Sequence, residues 1–206
     1  MIAESAPLPG YDDDPVLAAA AAIIAREGLH GLTMRSLADA IGSSTQAIYT
    51  RYGGKPGLVE ALATAGAAAL GDRLAAVPET LAPAARVVAI AEAYCAYATS
   101  NPAVFELMSG TAGRSRAALM TGALHPLRRA VTAMGGDIAM ADAVWAAAHG
   151  TVTLYMRERL SAEQAQLALS RVVEFLTTIP KAPATILPAP PPRGPLSALF
   201  RWIRYG

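Results

Sequence analysis

The chain has 206 residues, 53% hydrophobic but only 6% aromatic, with a formal net charge of +1. That length fits one small domain plus a larger one, and no apolar run approaches the roughly 20 residues of a membrane span. The single Cys95 excludes an internal disulfide and a thiolate metal cluster. Three scattered histidines (His30, His125, His149), with no nucleophile elbow and no phosphate-cradling glycine loop, argue against an enzyme, so no cofactor and no metal site is expected.

In chain order, the start is acidic and lacks a basic stretch before an apolar one. No secretory signal is therefore expected, which points to a cytoplasmic protein. Residues 15–27 read as a helix capped by Asp14, with Pro15 at its first position and Val16, Leu17, Ala20, Ile23 and Ile24 as its buried stripe. Gly28 and Gly31 break the chain. Thr33 then caps a short helix whose Met34, Leu37, Ala38 and Ile41 share one face, and Gly42 ends it. Ser44 caps a second short helix, from 45 to about 51, with Ala47 and Ile48 apolar and Thr45, Gln46, Tyr49 and Thr50 left as polar surface. A helix this short is marginal alone and needs bracing by its neighbours. Gly53-Gly54 ends it, and Lys55 opens a helix running to about residue 75. Two short helices around a tight turn form a helix-turn-helix, which lays its second helix in the major groove of DNA.

Beyond this, Pro83 opens a helix to about residue 98, Ser100-Asn101-Pro102 breaks it, and a short helix follows at 102–108. Residues 110–113 read as a loop, and 114–134 as a helix that Pro126 kinks or restarts. A long helix is expected at 138–159, then another capped by Ser161 and ending near Thr178, with Glu163 and Glu174 on its wetter side. Strand-like alternation is scarce, so the class is all-α: an N-terminal three-helix bundle with a helix-turn-helix (1–54) and a larger helical ligand-binding and dimerisation domain (55–180). The tail, 181–206, is Pro-rich and then amphipathic through Leu196, Leu199, Phe200, Trp202 and Ile203, and carries four basic residues and no acid. It reads as a segment packing on the body or a partner subunit, as an anionic-surface contact, or as disorder. The excess apolar surface suggests a dimer interface and an apolar pocket.

The run Ala22-Ile23-Ile24-Ala25-x-x-Gly28, Leu32-Thr33-x-x-x-Leu37-Ala38, Gly42-x-Ser44-x-x-x-Ile48-Tyr49-x-x-Tyr52-x-x-Lys55-x-x-Leu58 resembles the N-terminal domain of the TetR family of bacterial transcriptional regulators, over residues 15–62. The resemblance implies an all-helical homodimer in which a small effector changes the separation of two recognition helices and releases the operator. Two further patterns look like the WHG-type regulatory domain of one subtype: Tyr94-x-x-Tyr97-Ala98-x-x-x-Pro102-x-x-Phe105-x-Leu107-Met108, and Leu124-His125-Pro126-Leu127-Arg128-Arg129 followed by Trp145, His149 and Gly150. The resemblance also implies that helices 138–159 and 161–178 pair with their copies. Trp145, Ala148, Val152 and Tyr155 then lie at helical spacing, as do Ala165, Leu169 and Val172 or Val173, and Gly150 permits close approach. An effector pocket is expected between the helix from Pro83 and those after it. Its candidate lining is Tyr94, Tyr97, Phe105, Met108, Met120, Trp145, His149 and Met156, each with a competing reading as plain core. That lining suits a small, mostly apolar or aromatic effector.

For DNA, Gln46 can bond an adenine edge bidentately and Thr45 can offer a hydroxyl or a methyl. By resemblance, Tyr49 packs on the sugar-phosphate chain. Thr33, Ser44 and Thr50 can reach phosphates through hydroxyls. Arg51, Lys55 and Arg35 are the charged candidates, Lys55 at a helix N-terminus that favours anions. The competing reading makes Arg51 and Lys55 solvated surface and Tyr49 core, while Tyr52 is expected as a core aromatic. Residues 1–60 hold four basic against seven acidic side chains, a net charge of −3, which predicts modest non-specific affinity and a shallow salt slope. The expected function is an effector-responsive repressor binding a palindromic double-stranded operator as a homodimer. The alternative is a dimeric small-molecule- or protein-binding module that has lost DNA binding.

Overall fold

The computed structural model describes Tyr11, residues 14–109 and residues 120–178. The expected loop at 110–113, the beginning of the helix expected from 114, and the tail at 181–206 lie outside the described residues. Within them the chain is helical, with no strand. No described helix is long and apolar enough to cross a membrane.

Three helices come first: α1 (Pro15–Gly31), α2 (Met34–Ile41) and α3 (Thr45–Tyr52). Asp14 caps α1, its carboxylate accepting from the backbone N–H groups of Val16 and Leu17. The expected break at Gly28 is a kink (φ 72°), and helical turns resume to Gly31 rather than stopping at 27. Leu17, Ala20, Ile23 and Ile24 are buried as expected, whereas Val16 is only half-buried. A reciprocal cap opens α2: Thr33 Oγ1 accepts from Ser36 N–H (2.9 Å) while Ser36 Oγ accepts from Thr33 N–H (3.0 Å). Gly42 closes it in the left-handed conformation. Ser44 Oγ then accepts from Ala47 N–H (3.1 Å) and starts α3.

The long α4 (Lys55–Ala75) leaves this unit and enters the body. The body continues with α5 (Pro83–Ser100), α6 (Pro102–Ser109), a helical turn at 120–123, α7 (His125–Ala133), α8 (Ile138–Met156) and α9 (Ala162–Thr178). Pro126 starts α7 afresh, so the helix expected through 134 is broken at Leu124. Leu124 N–H still reaches Met120 C=O (3.0 Å). The helix expected to run to 159 ends at Met156, and Glu158 takes a positive φ of 56° in the turn before α9. Ser161 caps α9 reciprocally with Gln164.

One contact set joins the three-helix unit to the body. α6 packs against both α1 and α4, and α4 also meets α1, α3, α5 and α7. Gly66, midway along α4, makes this possible. A Cβ there would lie 2.6 Å from Val104 Cγ1, 2.9 Å from the Tyr11 hydroxyl and 3.0 Å from Met108 Sδ. Tyr11 donates to Leu62 C=O (3.0 Å) and Tyr97 to Gly66 C=O (2.9 Å), so two buried tyrosines pin successive turns of α4. Burial pushes the Tyr97 hydroxyl up to about 12 and raises Tyr11 as well.

Candidate nucleic-acid interface and effector region

Helix α3 has one buried side chain, Ile48, and this apolar anchor contributes about 1.5–3 kcal/mol of docking energy. The other seven residues face outward or are half-buried. Thr45, Gln46, Tyr49, Thr50 and Arg51 are exposed, and the apolar Ala47 is exposed with them. Tyr49 is 50% exposed, which excludes the reading of it as core. Its ring stands over Gly54, where a Cβ would meet Cε1 at 3.2 Å. Gln46 and Thr45 lie in the first turn, the end from which recognition helices reach base edges.

The hydroxyls expected at phosphates are already engaged. Thr33 and Ser44 cap helices, and Thr50 Oγ1 donates back to Gln46 C=O (2.9 Å). The cations divide. Lys55 is half-buried and its ammonium donates to Leu29 C=O (2.8 Å), tying the start of α4 to the end of α1. Arg51 pairs with the Asp14 carboxylate and lies over the Tyr52 ring, 5.3 Å from its centroid. Tyr52 is half-buried against the core, as expected, and donates to Asp14 Oδ2 (2.8 Å). Burial, then this bond, push its hydroxyl up to about 12. Arg35 is exposed and makes no hydrogen bond or ion pair among the described residues.

In the body, four of the eight effector candidates meet. Tyr94 and Phe105 contact edge to face (5.6 Å), and the His149 ring lies 5.4 Å from Phe105 and 6.0 Å from Trp145. Trp145 Nε1–H donates to the Tyr94 oxygen (3.2 Å), and the Tyr94 hydroxyl shares a hydrogen bond with His149 Nδ1 (2.9 Å). Burial lowers the His149 pKa and raises that of Tyr94, keeping both neutral. The other four separate. Tyr97 and Met108 turn to Gly66 of α4, while Met120 and Met156 are half-buried at the edge of the core. The cavity beside the Tyr94–Trp145 pair measures only about 10 Å³, too small for an effector. A groove of about 250 Å³ lies instead between α5, α8 and α9. None of the eight lines it. Its walls include Cys95, Ala96, Val152, Tyr155, Ala165 and Leu169, with Glu92, Thr99, Thr151 and Gln166 as its polar groups. Burial, then Glu92, push the Cys95 thiol up to about 11, which disfavours its thiolate form.

Facing on α8 also differs from the spacing-based reading. Ala148 and Val152 are buried within the single chain and Trp145 bonds Tyr94, which leaves Leu154 and Tyr155 outward. On α9, Leu169 and Val173 turn inward, while Leu167, Val172 and Phe175 are exposed. Sequence reasoning missed Tyr11 and Gly66. A glycine amid the alanines of α4 was the available signal, because it weakens a helix unless close packing requires it.

A short outward-facing helix after a tight turn, braced by two helices and carried on a larger helical body, defines a DNA-binding protein of helix-turn-helix type. Comparison with known proteins agrees. The family described as "Bacterial regulatory proteins, tetR family" matches residues 16–62, and "Tetracyclin repressor-like, C-terminal domain" matches residues 87–178. The chain belongs to the TetR family and is a DNA-binding transcriptional regulator. Among solved structures, a protein of unknown function from Rhodococcus sp. RHA1 is 24% identical with a TM-score of 0.68, the match covering 79% of this chain and 91% of that one. The TetR family transcriptional regulator PfmR from Thermus thermophilus is 18% identical with a TM-score of 0.57, over 80% and 97% of the two chains. These two likenesses bear on the fold. No curated protein matches the chain at a significant level.

Proposed function

We propose that the chain is an effector-responsive repressor that binds a palindromic operator as a homodimer. The observation that carries this reading is α3, which buries Ile48 alone and leaves Thr45, Gln46 and Tyr49 free on its outer face. In this reading Gln46 and Thr45 contact base edges and Tyr49 packs on the sugar-phosphate chain. Arg35 supplies a free cation, and Thr33, Ser44, Thr50 and Lys55 make contacts that share groups already bonded within the protein. A division at residues 54 and 55 fits the start of α4 at Lys55. Dimerisation uses the outer faces of α8 and α9, supported by the exposed Leu154, Tyr155, Leu167, Val172 and Phe175. Gly150 supports it too, since a Cβ there would meet open space. Two-fold symmetry then demands a two-fold operator. In this reading a small, mostly apolar effector enters the groove between α5, α8 and α9, supported by its largely apolar walls.

Selection of operators from random duplex DNA with the purified protein tests this. The expected result is an enriched palindrome. Gln46→Ala should cost about 1–3 kcal/mol and relax the base preference at one position per half-site, and Tyr49→Ala should weaken every sequence alike. The engagement of Arg51 and Lys55 within the protein favours one second reading, a helical dimer that binds small molecules or proteins without DNA. Selection that enriches no palindrome would end the repressor reading and leave that alternative standing.

A further inference from the structure

Asp14 is one carboxylate with two tasks. Oδ1 accepts from the backbone N–H of Val16 (3.0 Å) and Leu17 (3.4 Å) and starts α1. Oδ2 accepts from the Tyr52 hydroxyl (2.8 Å) and pairs with Arg51 at the far end of α3. The Asp14 side chain is 16% exposed and that of Arg51 56%, so the pair is shielded on the acid's side and open on the base's. The guanidinium is further held over the Tyr52 ring. Its charge is thus answered before any nucleic acid arrives.

We propose that Asp14 is a positioning residue of the DNA-reading unit. It keeps Arg51 off the phosphates and fixes the C-terminal end of α3 against α1, so that selectivity falls to the first turn of α3 and non-specific grip stays weak. This rests on the DNA-binding reading given above. A cation already paired within the protein neutralises no phosphate and releases no counterion, whereas each phosphate neutralised steepens the plot of log affinity against log salt by about 0.9. Asp14→Asn separates the two tasks. Asparagine caps a helix as well as aspartate, but it carries no charge for Arg51.

The test measures binding of the full chain to a random-sequence duplex across a range of salt. Asp14→Asn should bind more tightly at low salt and steepen the slope by about 0.9, one phosphate contact. Arg51→Ala should leave the parent slope unchanged yet cancel the steepening in the Asp14→Asn background. Tyr52→Phe, which loses only a hydroxyl donor, should leave the slope alone. Against an operator enriched from the random pool, Asp14→Asn should lower the ratio of specific to non-specific affinity severalfold. An unchanged slope in Asp14→Asn overturns the proposal while the parent's binding upholds the DNA reading. So does a slope that Arg51→Ala flattens by about 0.9 in the parent, and this second arm decides alone should Asp14→Asn not fold. A parent with no affinity for duplex DNA at any salt overturns both.

Discussion

His149 Nδ1 is hydrogen-bonded to the Tyr94 hydroxyl, whose oxygen accepts from Trp145, and burial lowers the His149 pKa below the ordinary 6.5. The unfolded chain therefore takes up this proton more readily than the folded one. The contribution is absent above 6.5 and becomes a penalty as pH falls through 6.5 toward the folded value, so stability should drop on acidification. Thermal melting across this window checks it: His149→Asn, which keeps a hydrogen-bonding side chain beside Tyr94 but does not titrate, should show a shallower decline than the parent, and equal declines would contradict a role for His149. Residue identities of this kind were only half legible in the sequence. Helical spacing placed Tyr94, Phe105, Trp145 and His149 near one another, but it could not tell which neighbour each side chain of α5 and α6 faces. Tyr97 and Met108 went to α4 for that reason. Arg51 and Lys55 bond partners 37 and 26 residues away, a separation no local pattern reports.

Elements were legible where their signals are local. Asp14, Thr33 and Ser44 accept the bonds that caps must accept, and Pro126 restarts a helix as its missing N–H requires. The path between α3 and α4 is decided by packing instead. A Cβ on Gly57 would lie 1.9 Å from the Tyr52 carbonyl oxygen, a backbone atom that cannot swing aside. Propensity alone credits Gly57→Ala with up to about 1 kcal/mol of added helix stability. The steric term should win, with a net loss of about 1–3 kcal/mol, read as a lower denaturant midpoint at unchanged slope. A rise in the midpoint would show that α3 can retreat from α4 at no cost.

At the scale of the molecule, composition anticipated surplus apolar surface, and α9 displays it. Leu167 is 56% exposed and Phe175 64%, two turns apart on one side of the helix. Replacing both by glutamate should leave a monomer in sedimentation at micromolar concentration, with duplex binding reduced accordingly. A dimeric double variant would place the contact elsewhere, and a monomeric parent would overturn the proposed dimer. Which faces of α8 and α9 remain free was not legible, because the spacing of Ala148, Val152, Leu169 and Val173 serves an internal seam as well as an external one. The junction at Gly66 was equally hidden, since its partners Tyr11, Tyr97, Val104 and Met108 come from three separate stretches of chain.

That junction bears on anyone who would treat the reading unit as an exchangeable cartridge. A sequence boundary near residue 54 invites a cut, yet the seam that seats the unit runs through the middle of α4. Val104 stands 2.6 Å from where the first side-chain carbon would be. A chimera that brings in a foreign α4 without its matching α6 meets that wall, and one that brings both carries half of the body's wiring with it. On the proposed reading, transplanting the specificity of this protein means rewriting the outer face of α3 in place rather than moving the head.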